Sequence, residues 1–124
     1  MNIRDWIHVE DHCSAVLSTL LHGKKGESYN ISANNEINNI TIVQKILEIM
    51  GKSEDLIQFV EDRPGHDLRY SLDSSKISSD LNWNTKLTFE EGLKKTIDWY
   101  LNNDELMKNQ SSITSNPTPW KSSN

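Results

Sequence analysis

Residues 4–21 read Arg4-Asp5-Trp6-Ile7-His8-Val9-Glu10-Asp11-His12-Cys13-Ser14-Ala15-Val16-Leu17-Ser18-Thr19-Leu20-Leu21. In the second half of this stretch Cys13, Val16, Leu17, Leu20 and Leu21 recur at the spacing of one face of an amphipathic helix. Glu10 and Asp11 fall in its first turn, where the helix dipole favours acids. Gly23 and Gly26 end it in a turn. Glu27-Ser28-Tyr29-Asn30-Ile31 then reads as a short strand. Asn34 to Asn39 is a polar loop rich in asparagine, a residue that bonds nearby backbone and tolerates left-handed geometry.

Further along, Thr41-Ile42-Val43-Gln44 matches a capping box. It would open a helix with Ile42, Val43, Ile46, Leu47 and Met50 on one face, ending at Gly51. Leu56 to Val60 reads as a second strand. A loop follows, Glu61-Asp62-Arg63-Pro64-Gly65-His66-Asp67, built around a Pro-Gly turn. A short helical piece spans Ser75 to Leu81. Thr88-Phe89-Glu90-Glu91 is a second capping box, before a stripe of Phe89, Leu93, Ile97, Tyr100 and Leu101. Residues 104–124 are dominated by Asn, Ser, Thr and Pro, too little apolar surface to offset the ordering entropy, so a disordered or partner-dependent tail is expected. The fold class is α/β, with two expected strands. Two strands do not usually form a self-sufficient sheet, so residues 1–103 read as an incomplete domain.

Composition narrows the function. The 124 residues carry 13 Lys and Arg against 18 Asp and Glu, a formal charge of −5. That balance argues against nucleic acid or an anionic membrane as the main partner. Mean hydropathy is −0.66. No apolar run approaches a membrane span, and no apolar leader follows Met1, so a protein of the reducing cytoplasm is expected. The single Cys13 rules out an internal disulfide and, on the apolar stripe, reads as a buried, inert thiol. Trp83, Trp99 and Tyr100 read as core or interface packing.

The five glycines, at 23, 26, 51, 65 and 92, form neither G-x-G-x-x-G nor a P-loop, and no Tyr has a Lys four residues later. No catalytic and no cofactor-binding residue is therefore assigned. His8 and His12 stand at i and i+4, a spacing that suits a metal on a helix face. If the helix starts after His8 that face is lost, and no metal ligand is assigned. The loop at 61–69 concentrates Asp62, Arg63, His66, Asp67 and Arg69. Arginine presents a planar fork of donors matched to phosphate oxygens, and Arg4 offers a second. An Arg–Asp structural ion pair is the competing reading.

The stretch from Arg4 to His12, with Gly26-Glu27-Ser28-Tyr29-Asn30-Ile31, Asp62-Arg63-Pro64-Gly65-His66-Asp67 and Thr88-Phe89-Glu90-Glu91-Gly92-Leu93, closely resembles the C-terminal part of dTDP-glucose 4,6-dehydratases. These are NAD-dependent lyases of the extended short-chain dehydrogenase superfamily, which also holds nucleotide-sugar epimerases. The likeness runs from Arg4 to Asn103. It implies the small substrate-binding lobe of an enzyme whose N-terminal Rossmann domain, absent here, holds NAD and the catalytic groups. In the complete enzyme the sugar C4 is oxidised, water leaves across C5–C6 and hydride returns to C6.

Carried over by resemblance, Arg4 and Arg63 contact the diphosphate of a nucleotide-sugar and so belong on one side of the fold. Asn39 contacts the nucleotide, and Asp62, Pro64, Gly65 and His66 complete the substrate loop. Asp67 and Arg69 would hold that loop. One departure stands out: Ser32-Ala33 replaces the family's usual Gly-Gly, which would stiffen the backbone ahead of the asparagine loop. The implied partners are a dTDP-sugar and a Rossmann half supplied in cis or in trans. The alternatives are a non-enzymatic lobe that complements a separate Rossmann half, and a stand-alone nucleotide-sugar-binding module.

Overall fold

The computed structural model describes residues 2–108. Three short strands form one sheet: β1 (Ile3–Asp5), β2 (Glu36–Asn38) and β3 (Arg69–Tyr70). The order is β2-β1-β3, with β2 antiparallel and β3 parallel to the central β1. Ile3 faces Asn38 on one side and Arg69 on the other. Among the described residues five α-helices join the sheet: α1 (Val9–His22), α2 (Asn39–Ile49), α3 (Ser75–Leu81), α4 (Phe89–Leu101) and α5 (Asp104–Lys108). The mixed helix and strand content is that of a partial α/β unit.

Both strands expected from the sequence are absent. Residues 27–31 run without a ladder and instead lay Tyr29 and Ile31 against the core of Ala15, Ile77 and Trp83. Asn30 Nδ2 donates to the carbonyl of Asp73 across the chain. At 56–60 the Ser53 hydroxyl accepts from Asp55 N and closes a 3-10 turn, Glu54–Leu56. The residues beyond it do not reach a sheet edge, and Phe59 is 83% exposed. The strands that do form are only two or three residues long, too short for a two-residue alternation to register in the sequence.

The helices are found near their expected positions, with two differences at α2 and α1. Helix α2 begins at Asn39, behind the N-cap Asn38, and not at Thr41. Strand β2 runs directly into it, and Asn39 N–H is taken by the carbonyl of Asn2. Gln44 accordingly caps nothing and donates to Glu54. On α1 the buried positions are Asp11 and Ala15, whereas Val16, Leu17, Leu20 and Leu21 are exposed. Cys13 is exposed too, against the expectation of a buried thiol. The stripe that marked the helix is thus its uncovered face.

The second capping box is present at α4. Thr88 Oγ1 accepts from Glu91 N, and Glu91 Oε2 accepts from Thr88 N. Ile97 of α4 and Ile42 of α2 are the buried residues of those two helices' apolar faces, while Trp99 and Tyr100 point outward, half exposed. Trp83 is buried as expected, and its indole donates to Ser14 Oγ. Residues 104–108, placed in the expected tail, form the short helix α5. The rest of that tail, 109–124, lies outside the described residues. Among the described residues no helix is long and apolar enough to cross a membrane.

Candidate functional site

The stretch at 4–12 is a set of anchors. Alternation along β1 sends Asn2 and Arg4 to one face and Asp5 to the other. The Asp5 carboxylate accepts from Ser32 Oγ and from the backbone N–H groups of Ala33, Asn34 and Asn35. Only an acceptor-only side chain suits such a ring of donors. Ser32 and Ala33 do not occupy positive φ; Asn34 does, at 57°. The Ser-Ala pair is therefore accommodated without strain, and its hydroxyl adds a bond to Asp5.

Trp6 Nε1 donates to the carbonyl of Ile37, tying β1 to β2 a second time. His8 is the N-cap of α1, its Nδ1 accepting from Glu10 N, so it is off the helical face of His12. Asp11 is 3% exposed and accepts from Lys86 N and Leu87 N, fixing the segment that leads into α4. Glu10 pairs with Lys95 at 2.7 Å, which holds its carboxyl below the ordinary range.

On the Asn2–Arg4 face lies the loop at 62–67. Its turn has Pro64 second and Gly65 third, with Gly65 at φ 69° and His66 N donating to Arg63 O. That is the pattern of a type II turn, where the third residue needs the left-handed region. Arg4 reaches this loop: its Nη2 lies 2.6 Å from His66 Nε2 and 2.8 Å from the carbonyl of Asp67, and its Nη1 donates to Ile3 O. On the far side of the ring, His66 Nδ1 is 2.6 Å from Asp62 Oδ1, and Asn2 Nδ2 donates to Asp62 Oδ2 at 3.0 Å. The hydrogen bond from Asn2, followed by that from His66, holds the Asp62 carboxyl down to about 2.

The structure thus brings Arg4, Asp62 and His66 into one network. Asn39 stands beside it through the backbone bond to Asn2, its Oδ1 buried and without a hydrogen-bond partner among the described residues. Arg63 is exposed in the turn, and no partner for its guanidinium is present among the described residues. Neither Arg4 nor Arg63 is in an ion pair there. The ion-pair alternative for these two arginines therefore fails. Arg69 does pair, bidentately, with Glu36 at 2.7 Å. Sequence reasoning missed Asn2. Its only signal was its place two residues before Arg4, which becomes informative once residues 3–5 are known to be a strand.

Comparison with known proteins gives the following. The family model described as GDP-mannose 4,6 dehydratase matches residues 1–96. The dTDP-glucose 4,6-dehydratase of Escherichia coli is 48% identical over 114 residues, covering 83% of this chain and 32% of that protein. The low-salt glycan biosynthesis protein Agl12 of Haloferax volcanii is 48% identical over 104 residues, covering 84% of this chain and 33% of its own length. Among solved structures, dTDP-glucose 4,6-dehydratase from Bacillus anthracis in complex with NAD superposes with a TM-score of 0.79 at 45% identity, over 85% of this chain and 33% of that one. DesIV, a dTDP-glucose 4,6-dehydratase from Streptomyces venezuelae with NAD and TYD bound, does so at 0.81 and 37%, with the same coverages. The chain spans about a third of the length of these relatives.

Proposed function

The chain belongs to the GDP-mannose 4,6 dehydratase family, and from that premise we propose that it is the nucleotide-sugar-binding portion of a dTDP-glucose 4,6-dehydratase. The observation that carries this reading is the pair of arginines without carboxylate partners. Arg4 lies against His66, and Arg63 begins the turn that His66 ends. Two cations without a carboxylate partner among the described residues, on one loop-and-strand junction, suit the diphosphate of a dTDP-sugar. Asn39, with a buried Oδ1 still lacking a donor, fits a contact to the nucleotide. Asp62, Pro64 and Gly65 shape the loop, and His66 joins it to Arg4.

NAD, which relatives hold, does not fit the residues described here. Gly23 and Gly51 close helices, Gly26 and Gly65 sit in turns, and Gly92 lies inside α4. None follows a strand and opens a helix, which a dinucleotide cradle requires. NAD would supply the hydride chemistry from a Rossmann half elsewhere in the polypeptide or on a separate chain. This chain's share is to bind and orient the sugar nucleotide, in the cytoplasm where such donors are used. The exposed α1 stripe supports a covering partner and weighs against a stand-alone module.

The test is to supply dTDP-glucose and NAD to the purified chain, alone and with a Rossmann half. Binding without formation of the 4-keto-6-deoxy sugar is expected from the chain alone, and product above a no-protein control would overturn the assignment.

A further inference from the structure

Resting on the reading of Arg4 as a diphosphate contact, we infer that His66 is a positioning residue for it. His66 acts as a neutral imidazole protonated at Nδ1, whose Nε2 accepts from Arg4. Charging the ring removes one of the acceptors that hold Arg4, loosens its placement and weakens anion binding.

The chemistry of the two partners fixes the tautomer. A guanidinium has donors and no acceptor, so a 2.6 Å approach of Arg4 Nη2 to His66 Nε2 is a hydrogen bond only if Nε2 keeps its lone pair. The carboxylate of Asp62, 2.6 Å from Nδ1, only accepts, so Nδ1 carries the hydrogen. Asn2 Nδ2 also approaches Nδ1, at 3.1 Å, with one of its two hydrogens on Asp62 Oδ2, but the shorter 2.6 Å contact of Nδ1 with an acceptor-only carboxylate decides where the ring hydrogen lies. An Asn2 amide turned the other way would set oxygen against that carboxylate.

The ring is mostly enclosed, with 19% of the side chain exposed. The groups within hydrogen-bonding reach of it are Asp62 from its own loop, Arg4 from β1 and Asn2 just before β1. Only Asp62 and Arg4 are charged. A second proton, on Nε2, would set donor against donor and cation against cation on the Arg4 side. The bond to Asp62 would survive and strengthen. Protonation therefore acts on the arginine and leaves the loop in place.

The test uses the full chain and dTDP-glucose, whose diphosphate diester keeps the same charge across the range. Affinity is measured by calorimetry at about pH 5.5 and about pH 8. Wild type should bind roughly tenfold more weakly at the lower pH, as expected for losing a charge-assisted contact. In H66Q the amide oxygen accepts from Arg4 at both values, so the ratio between the two affinities should fall to about one. H66A should be weak at both. The 15N shifts of the ring, read at the higher pH without ligand, should show the Nδ1–H tautomer.

Tighter binding in acid, an Nε2–H tautomer, or an undiminished pH difference in H66Q would overturn the inference. Unchanged binding in R4A would instead overturn the assignment of Arg4 to the anion, whatever the tautomer proves to be.

Discussion

Arg4 Nη2 stands 2.6 Å from His66 Nε2, so the middle residue of β1 and the end of the Pro-Gly turn share one hydrogen bond. With the Asp67 carbonyl as a second acceptor, the guanidinium is held in place while its positive charge stays unopposed by any carboxylate among the described residues. That combination, ordered and not neutralised, is what an anion site needs.

Replacing Arg4 or Arg63 by Ala should therefore weaken dTDP-glucose binding by about 2–5 kcal/mol in the chain combined with a Rossmann half. Lys at either position should recover only part, since an ammonium keeps the charge and loses the planar fork. Calorimetric affinity and thermal midpoint are read for each variant. Unchanged affinity with a lowered midpoint would assign that arginine to structure alone.

Asp5 is the stability counterpart of Arg4 on the opposite face of β1. Its carboxylate gathers one hydroxyl and three backbone N–H groups from Ser32 to Asn35. D5N would turn amide hydrogens toward those donors and should lower stability by about 2–3 kcal/mol in urea unfolding, the scale of bonds to a charged acceptor. A loss below about 0.5 kcal/mol would show the loop to be held by other contacts.

Asp62 sets a pH dependence of known sign. Its folded value is depressed from 3.8 to about 2, first by Asn2 and then by His66. The stabilisation is fully present above pH 3.8 and is lost as pH falls through about 2. Wild type should therefore exceed D62N in urea midpoint above that window, and the two should converge within it. A margin that persists at the acid end would remove Asp62 from the network.

How much of this was legible in the sequence depends on the range of the interaction that fixes each residue. The start of helix α4 was readable to the residue because its Thr88–Glu91 box is local. The Thr41–Gln44 match failed because Asn2, distant in sequence, takes the amide of Asn39 and starts α2 earlier. The strands were missed for the same reason: residues 3–5, 36–38 and 69–70 are chosen by one another, and none carries an alternation long enough to see. At the site, Arg4 and the Pro-Gly loop were legible by residue type and resemblance. Their junction through Asn2 and His66 needed the sheet.

The apolar face of α1 gives the last prediction, because periodicity marked it and burial did not follow. Leu17 is 55% and Leu20 79% exposed, whereas Ala15, on the other side of the helix, is fully buried against Ile77 and Trp83. Within this chain, then, L17E and L20E remove no packing and should shift stability by less than about 0.5 kcal/mol. A15L adds volume where none is free and should be destabilising by about 1–3 kcal/mol. Exposed together with Val16 and Leu21, the leucines should also bind a hydrophobic dye, and the glutamates should reduce that signal. If the face is reserved for the rest of the enzyme, adding a Rossmann half should quench dye binding to the wild type and fail to assemble with the L17E/L20E chain. Stable assembly of the double variant would place the covering surface elsewhere, and a large stability loss in the isolated chain would mean that α1 packs the other way round.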